Sequence, residues 1–293
     1  MKAPLPSPAL PSPALSSPAL ASPALPSPAL ASGPLLSRPL LWSTAAITAL
    51  ALFTSLLGLL ATWPYAAAAP SWALQARGQD LGNLLALVCL VAGATRAARG
   101  SLRGLQVWAG ALLYLGYAFV IYAMTVPFGP LFLPYVAVLG LSCYALGFAL
   151  PRAPRPTLAA GPARVAGWLL SVVAGLFALL WFASIVGGLR TGTVPPELAE
   201  TGLPANPVHV LDLALVLPGM ALTAALARRG SATARLLLAP WLVFTALMGA
   251  SIVATLLASG VLAPTLAMSV VTLAGIAGAT TVLTTTSPVE GRN

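Results

Sequence analysis

Charge is the scarcest property of this sequence. Of its 293 residues only 6% are Asp, Glu, Lys or Arg, against about 25% in an ordinary soluble domain. Fourteen basic and five acidic side chains cannot keep the surface of so long a chain in water. Histidine occurs once and cysteine twice, and Lys2 is the single lysine. The clusters of His, Cys, Asp, Glu and Lys that carry most enzyme chemistry are therefore missing. HExxH, GxSxG and GxxxxGK[ST] are also absent, which leaves proteolysis, ester hydrolysis and ATP-driven transport without a sequence basis. One histidine cannot supply two axial haem ligands, and no CxxC or Cys/His spacing points to a metal. No enzyme activity, cofactor or metal site is expected, and Cys89 and Cys143, both inside apolar runs, read as packing residues.

What the chain has in excess is apolar sequence, 59% of its residues. The formal charge of +9 does not indicate a nucleic-acid partner. Such partners require Lys and Arg clustered on one soluble face, whereas here the arginines stand singly or in threes between long apolar runs. The partner implied is the lipid bilayer.

Residues 1–40 form a segment of their own. Ser-Pro-Ala-Leu recurs five times, from Ser7, Ser12, Ser17, Ser22 and Ser27, with a period of five. Proline at that frequency removes backbone donors and forbids helix and sheet, which predicts a disordered Pro/Ala/Ser-rich tail. A ligand for a proline-recognition module would carry a basic or aromatic anchor, and no charge lies between Lys2 and Arg38.

From Leu41 the hydropathy predicts an all-α bundle of eight spanning helices over 41–286, followed by a short tail at 287–293. The expected spans are 41–63, 80–96, 105–126, 131–150, 165–186, 208–227, 236–257 and 261–283, each near the length of about 20 residues that a bilayer requires. The second is the shortest. The connections after spans two, four and six carry Arg96, Arg99 and Arg103, then Arg152, Arg155 and Arg164, then Arg228, Arg229 and Arg235. The intervening connections carry only Arg77 and Arg190. By the positive-inside rule both termini and the arginine-rich turns are cytoplasmic. Two outward connections are long, 64–79 and 187–207. In the second, Thr193 to Gly202 reads as a short surface helix, with proline early and glycine at the stop.

An ionisable residue inside a span is a functional-site candidate by default, and Asp212 is the one acid placed well inside a span. His209 lies three residues earlier on the same helical face, Asn206 and Pro207 mark the helix entry, and Pro218 predicts a bend. Such a pair either binds a cation, a proton or a small polar solute, or fixes helix packing. Arg77, Asp80 and Asn83 enter span two with similar spacing. If spans two and six are adjacent, Arg77 or Asn83 is expected to reach Asp212, and Arg77 has Glu197 and Glu200 as further partners. These six residues (Asn206, His209, Asp212, Arg77, Asp80 and Asn83) form the candidate binding cluster, all at the outer side. The tyrosines at 114, 117, 122, 135 and 144 read as packing.

The motifs Gly100-Ser-Leu-Arg-Gly104, Gly110-Ala-Leu-Leu-Tyr-Leu-Gly-Tyr117, Val126-Pro-Phe-Gly-Pro-Leu-Phe132, Asn206-Pro-Val-His-Val-Leu-Asp-Leu213 and Leu217-Pro-Gly219 together resemble a group of bacterial multi-pass membrane proteins with no established activity. The resemblance spans about Leu41 to Leu283. It implies a bacterial cytoplasmic membrane and adds no mechanism. Two function classes follow: binding or transport of a small solute or ion through the outer polar cluster, or a non-catalytic membrane scaffold or assembly partner.

Two predictions arise from the sequence. Reporter fusions at Gly100, Ala159 and Gly230 are expected to read cytoplasmic, and those at Ala68 and Thr201 exterior; a cytoplasmic signal at Thr201 overturns the orientation. Deletion of residues 2–31 is expected to leave membrane accumulation unchanged, as measured by immunoblot of the membrane fraction, because a segment that cannot bury a core contributes no packing.

Overall fold

The computed structural model describes residues 33–288. The reading of residues 1–32 as disordered, and that of 289–293 as a tail, lie outside them. Eight helices are long and apolar enough to cross a bilayer, and the chain is a multi-pass helical membrane protein. They are α1 (Arg38–Leu60), α2 (Pro70–Ala98), α3 (Leu102–Thr125), α4 (Phe132–Ala149, prolonged by one 3-10 turn to Arg152), α5 (Ala160–Thr191), a span from Pro207 to Arg228, α9 (Ala232–Ala258) and α10 (Leu262–Thr285). The short α6 (Pro196–Thr201) precedes the sixth span, which consists of α7 (Pro207–Leu211), a π-turn (Asp212–Val216) and α8 (Leu217–Arg228). Among the described residues, sheet is limited to one antiparallel bridge between Pro156–Thr157 and Ser287–Pro288.

The span count and order agree with the hydropathy, but one boundary moves far. The second span starts at Pro70 and runs 29 residues, so it is among the longest and not the shortest. Arg77, Gln79 and Asp80 lower the hydropathy of its first turns. Backbone N–H and C=O groups without water must nevertheless bond within the helix, and Pro70 at the first position suits a helix start. The connection from residue 64 is therefore a 3-10 turn, Trp63–Tyr65, a few linking residues and the opening turns of α2. At the other end the body begins before Leu41. The Leu35 N–H donates to the Ala97 carbonyl at 3.0 Å, a carbonyl at the end of α2 that also accepts from the Gly100 N–H, and Leu36 is buried. Cys143 is also not a buried packing residue, because its face of α4 is exposed on the outside of the bundle.

Helix α9 is the inner strut. It packs against α2, α3, α5, α8 and α10, while α1 and α4 pack on α2 and α3. Pro240 lies inside α9 and has no N–H to give the Leu236 carbonyl four residues back. The buried Gln106 side chain of α3 donates to that carbonyl at 3.1 Å. One turn further along α3, Gly110 faces Pro240. A Cβ there would stand 2.8 Å from the Pro240 carbonyl oxygen and 2.6 Å from Val243 Cβ, so only glycine allows this approach. Indole donors tie the neighbours: Trp108 Nε1 donates to Thr44 Oγ1 at 3.0 Å, joining α3 to α1, and Trp241 Nε1 to Thr223 Oγ1 at 3.1 Å, joining α9 to α8.

Two of the arginine-rich turns use one device. Arg99-Gly100-Ser101 and Arg229-Gly230-Ser231 each place glycine at positive φ, 84° and 92°. The serine hydroxyl then caps the next helix by accepting from the N–H of Gly104 or Ala234, a conventional helix stop and start. The arginines also bind within the fold. Arg103 donates to the Thr284 and Thr286 carbonyls at the end of α10. Arg228 donates to Ser171 Oγ at 2.9 Å and lies 4.7 Å from the Trp168 ring, a cation–π distance.

The α3–α9 contact gives a direct test. Gly110→Ala is expected to lower stability by about 1 to 3 kcal/mol, the usual cost of overpacking. Gly140→Ala, where an added methyl meets no atom within 4 Å, is expected to be neutral or slightly stabilising, since Ala exceeds Gly in helix propensity. Thermal unfolding in detergent distinguishes the two.

Candidate functional site

Two carboxylates are buried in the membrane-spanning body, and each is built from a different set of helices. Asp212 is reached through a well-formed helix start. Asn206 Oδ1 accepts from the Val208 N–H at 3.0 Å, and Pro207 takes the first position of α7. Asp212 is then the first residue of the π-turn, where the Leu217 N–H bonds the Asp212 carbonyl five residues back. Pro218 has no N–H to contribute beyond it, so the wide turn occupies the place where a regular helix would lose a bond anyway. The bend expected from Pro218 takes this form.

Asp212 faces the bundle interior and is 7% exposed. The Trp181 indole of α5 donates to its Oδ2 at 2.8 Å, and Tyr117 of α3 lines the same cavity beside it. His209, also buried, lies against the Trp181 ring with centroids 4.6 Å apart and planes at 40°. His209 and Asp212 thus share Trp181.

Asp80 has no exposure and occupies the middle of the α1–α4 group. The Tyr65 hydroxyl donates to Oδ2 at 2.7 Å, and the Tyr122 hydroxyl lies 2.9 Å from Oδ1. Asn83, one turn on and equally buried, donates to Ser55 Oγ at 3.0 Å and approaches the Tyr122 hydroxyl at 3.5 Å. Gly58 of α1 makes room for this arrangement, since a Cβ there would come within 2.5 Å of the Tyr65 hydroxyl. The Tyr135 ring stands 5.2 Å from that of Tyr122.

The sequence expectation that Arg77 or Asn83 reaches Asp212 does not hold. Asn83 is turned toward α1 and is bonded there, and Arg77 is exposed with no hydrogen bond among the described residues. The reason is the phase of α2: Asp80 and Asn83 lie on the face that α1 and α3 cover, while Arg77 lies off that face. The six candidate residues therefore separate into Asp80 with Asn83, Asp212 with His209 and its cap Asn206, and Arg77 alone. Among the described residues, both carboxylates are hydrogen-bonded by tyrosine hydroxyls or an indole, and no arginine hydrogen-bonds to either.

A cavity of about 490 Å³ lies between the two carboxylate groups. Asp212, Tyr117 and Trp181 line one side, and Tyr65, Tyr122 and Gln79 the other; Phe177, Met220, Phe244, Met248 and Met268 are among the residues of the remaining, largely apolar wall. Tyr65 and Tyr122 thus touch the cavity and Asp80 alike. Gln79 extends a polar strand across the wall, donating to the Tyr114 hydroxyl at 2.7 Å and accepting from Ser251 at 3.1 Å. At the end away from the arginine-rich turns, α6 lies in the expected place and stops at Gly202 with φ 67°. Glu200 of α6 accepts from the Ser71 N–H in the first turn of α2 at 3.3 Å, and Ser71 lines the cavity. The α5–α7 connection therefore crosses to α2 at the mouth.

Sequence reasoning missed the aromatic partners. Tyr65 and Tyr122 are 15 and 42 residues from Asp80, and Trp181 is 31 from Asp212, so no local spacing links them. The only available signal was five acids in the whole chain, two of them in sequence destined for a membrane, where each requires donors from somewhere.

No known protein family, curated protein or solved structure matches this chain.

Proposed function

We propose that this protein binds a small amphipathic solute, an apolar body carrying one cationic or hydrogen-bond-donating group, in the cavity beside Asp212, as a solute-binding or transport protein of a bacterial cytoplasmic membrane. The observation that carries the reading is the 490 Å³ cavity with a carboxylate in its wall. Its size falls in the range of small-molecule sites, which are mostly apolar with a few placed polar groups. The carboxylate is supported by one neutral donor, the Trp181 indole, and aromatic rings stand beside it, the surroundings that favour an organic ammonium ion. The arginine distribution supports an orientation with both termini inside, so that the mouth under α6 opens outward, and the sequence resemblance supports the membrane assigned.

The test is a thermal-shift series on the purified protein with primary to quaternary alkylammonium ions and matched neutral alcohols. A ligand that binds only the folded state raises its apparent stability, so the cations are expected to raise the melting temperature and the alcohols to do so less. Asp212→Asn keeps the shape and is expected to abolish the cation response with little change in the unliganded melting temperature. Asp212→Leu is expected to destabilise by about 1 to 3 kcal/mol, because the buried Trp181 indole donor loses its acceptor. If no cation stabilises the parent, the solute reading fails and a scaffold role takes its place.

A further inference from the structure

We infer that Asp80 is the anionic ligand of a buried site for a small monovalent cation, with sodium as its natural probe. The inference begins from an unbalanced charge. Asp80 has no exposure, the groups that hydrogen-bond to it are neutral hydroxyls, and Arg77 is on an exposed face of the same helix. An ionised carboxylate in so apolar a setting is costly without a counter-charge. A carboxylate offers about four lone-pair directions, and the two tyrosines take at most two of them, the single Tyr122 proton being shared between Asp80 and the Ala76 carbonyl, each at 2.9 Å.

The second observation is independent of the acid. Asn83 Oδ1 and the Tyr135 hydroxyl are buried, at 0% and 2% residue exposure, and neither is hydrogen-bonded among the described residues. The Asn83 amide nitrogen is held beside Asp80 by Ser55 and the Tyr122 hydroxyl, which leaves the amide oxygen as the free atom. Tyr135 of α4 comes to the same place, its ring 5.2 Å from that of Tyr122 and its hydroxyl within electrostatic reach of Asp80 and Tyr65. Buried polar atoms are otherwise satisfied almost without exception, and two unsatisfied oxygens beside one uncompensated carboxylate define a place for a positive charge.

The donors are all oxygens: carboxylate, amide carbonyl and hydroxyls. That set suits a hard cation. A single carboxylate matches a single charge, whereas a divalent ion would leave one positive charge uncompensated in the interior. The close approach of α1 at Gly58, where no side-chain carbon fits, favours a small ion. Tyr65 and Tyr122, which bond Asp80 and also line the cavity, place the ion one side chain behind the cavity wall.

The inference stands without the solute reading, and the experiment keeps them apart. The full-length protein in detergent is titrated with sodium chloride at constant ionic strength, choline replacing sodium, at pH 6 and pH 8.5, with melting temperature and equilibrium binding of radioactive sodium as readouts. Expected are a melting temperature that climbs with the logarithm of sodium concentration at pH 8.5, a weaker response to potassium, and about one sodium bound per chain. Asp80→Asn is expected to abolish both, and Tyr135→Phe, which removes one hydroxyl and keeps the ring, to weaken apparent sodium affinity at least about tenfold. Asp212→Asn is expected to retain the sodium response. Absence of sodium binding to the parent protein at both pH values overturns the inference. So does a melting temperature that falls from pH 6 to pH 8.5 regardless of sodium and loses that dependence in Asp80→Asn, which would identify the occupant as a proton.

Discussion

The contact of α3 with α9 is the one on which the rest of the bundle depends. In lipid, apolar side chains gain little by meeting one another, so helices associate through close backbone approach and hydrogen bonds. Pro240 creates the need, by leaving the Leu236 carbonyl without its helical donor, and Gln106 meets it from the neighbouring helix. Gly110 then lets the two backbones approach. With α3 fixed on α9, the helices that pack on α3 and those that pack on α9 take their places on either side. The cavity is the space these two groups do not fill toward the end away from the arginine-rich turns.

Each side of that space contributes one acid, and the two are treated alike in principle and differently in degree. Asp212 is in the cavity wall, supported by an indole. Asp80 is behind the wall, enclosed by phenols that themselves face the cavity. Two of the tyrosines that read as packing in the sequence, Tyr117 and Tyr122, are therefore also part of the cavity lining.

The eight spans were legible because lipid imposes a length and a composition that run-by-run hydropathy detects. The helix caps were equally legible: Asn206 with Pro207, Gly202 and the Gly-Ser turns are local chemistry, readable within a few residues. The start of α2 was not, since Arg77, Gln79 and Asp80 resemble a loop by composition even though backbone hydrogen bonding carries the helix through them. Asp212 and Asp80 could be singled out as acids in unusual places, but their partners could not. Tyr65, Tyr122 and Trp181 come from distant turns, and which acid meets which ring is decided by the packing of α1, α3 and α5, not by spacing along the chain.

The π-turn at Asp212–Val216 fixes the direction in which the acid points. Along α8 the inward positions are Leu217, Met220, Thr223, Ala224 and Ala227, and continuing that row backward at 3.6 residues per turn centres it on Leu213. The buried positions are instead Asp212 and His209, while Val210 is 55% exposed. The row is offset by one residue, or about 100° of rotation. In an uninterrupted helix docked through α8 the same sequence would carry Asp212 about a quarter turn off the inward row. The inward carboxylate is thus a matter of helical phase, created by one residue more than a regular turn holds.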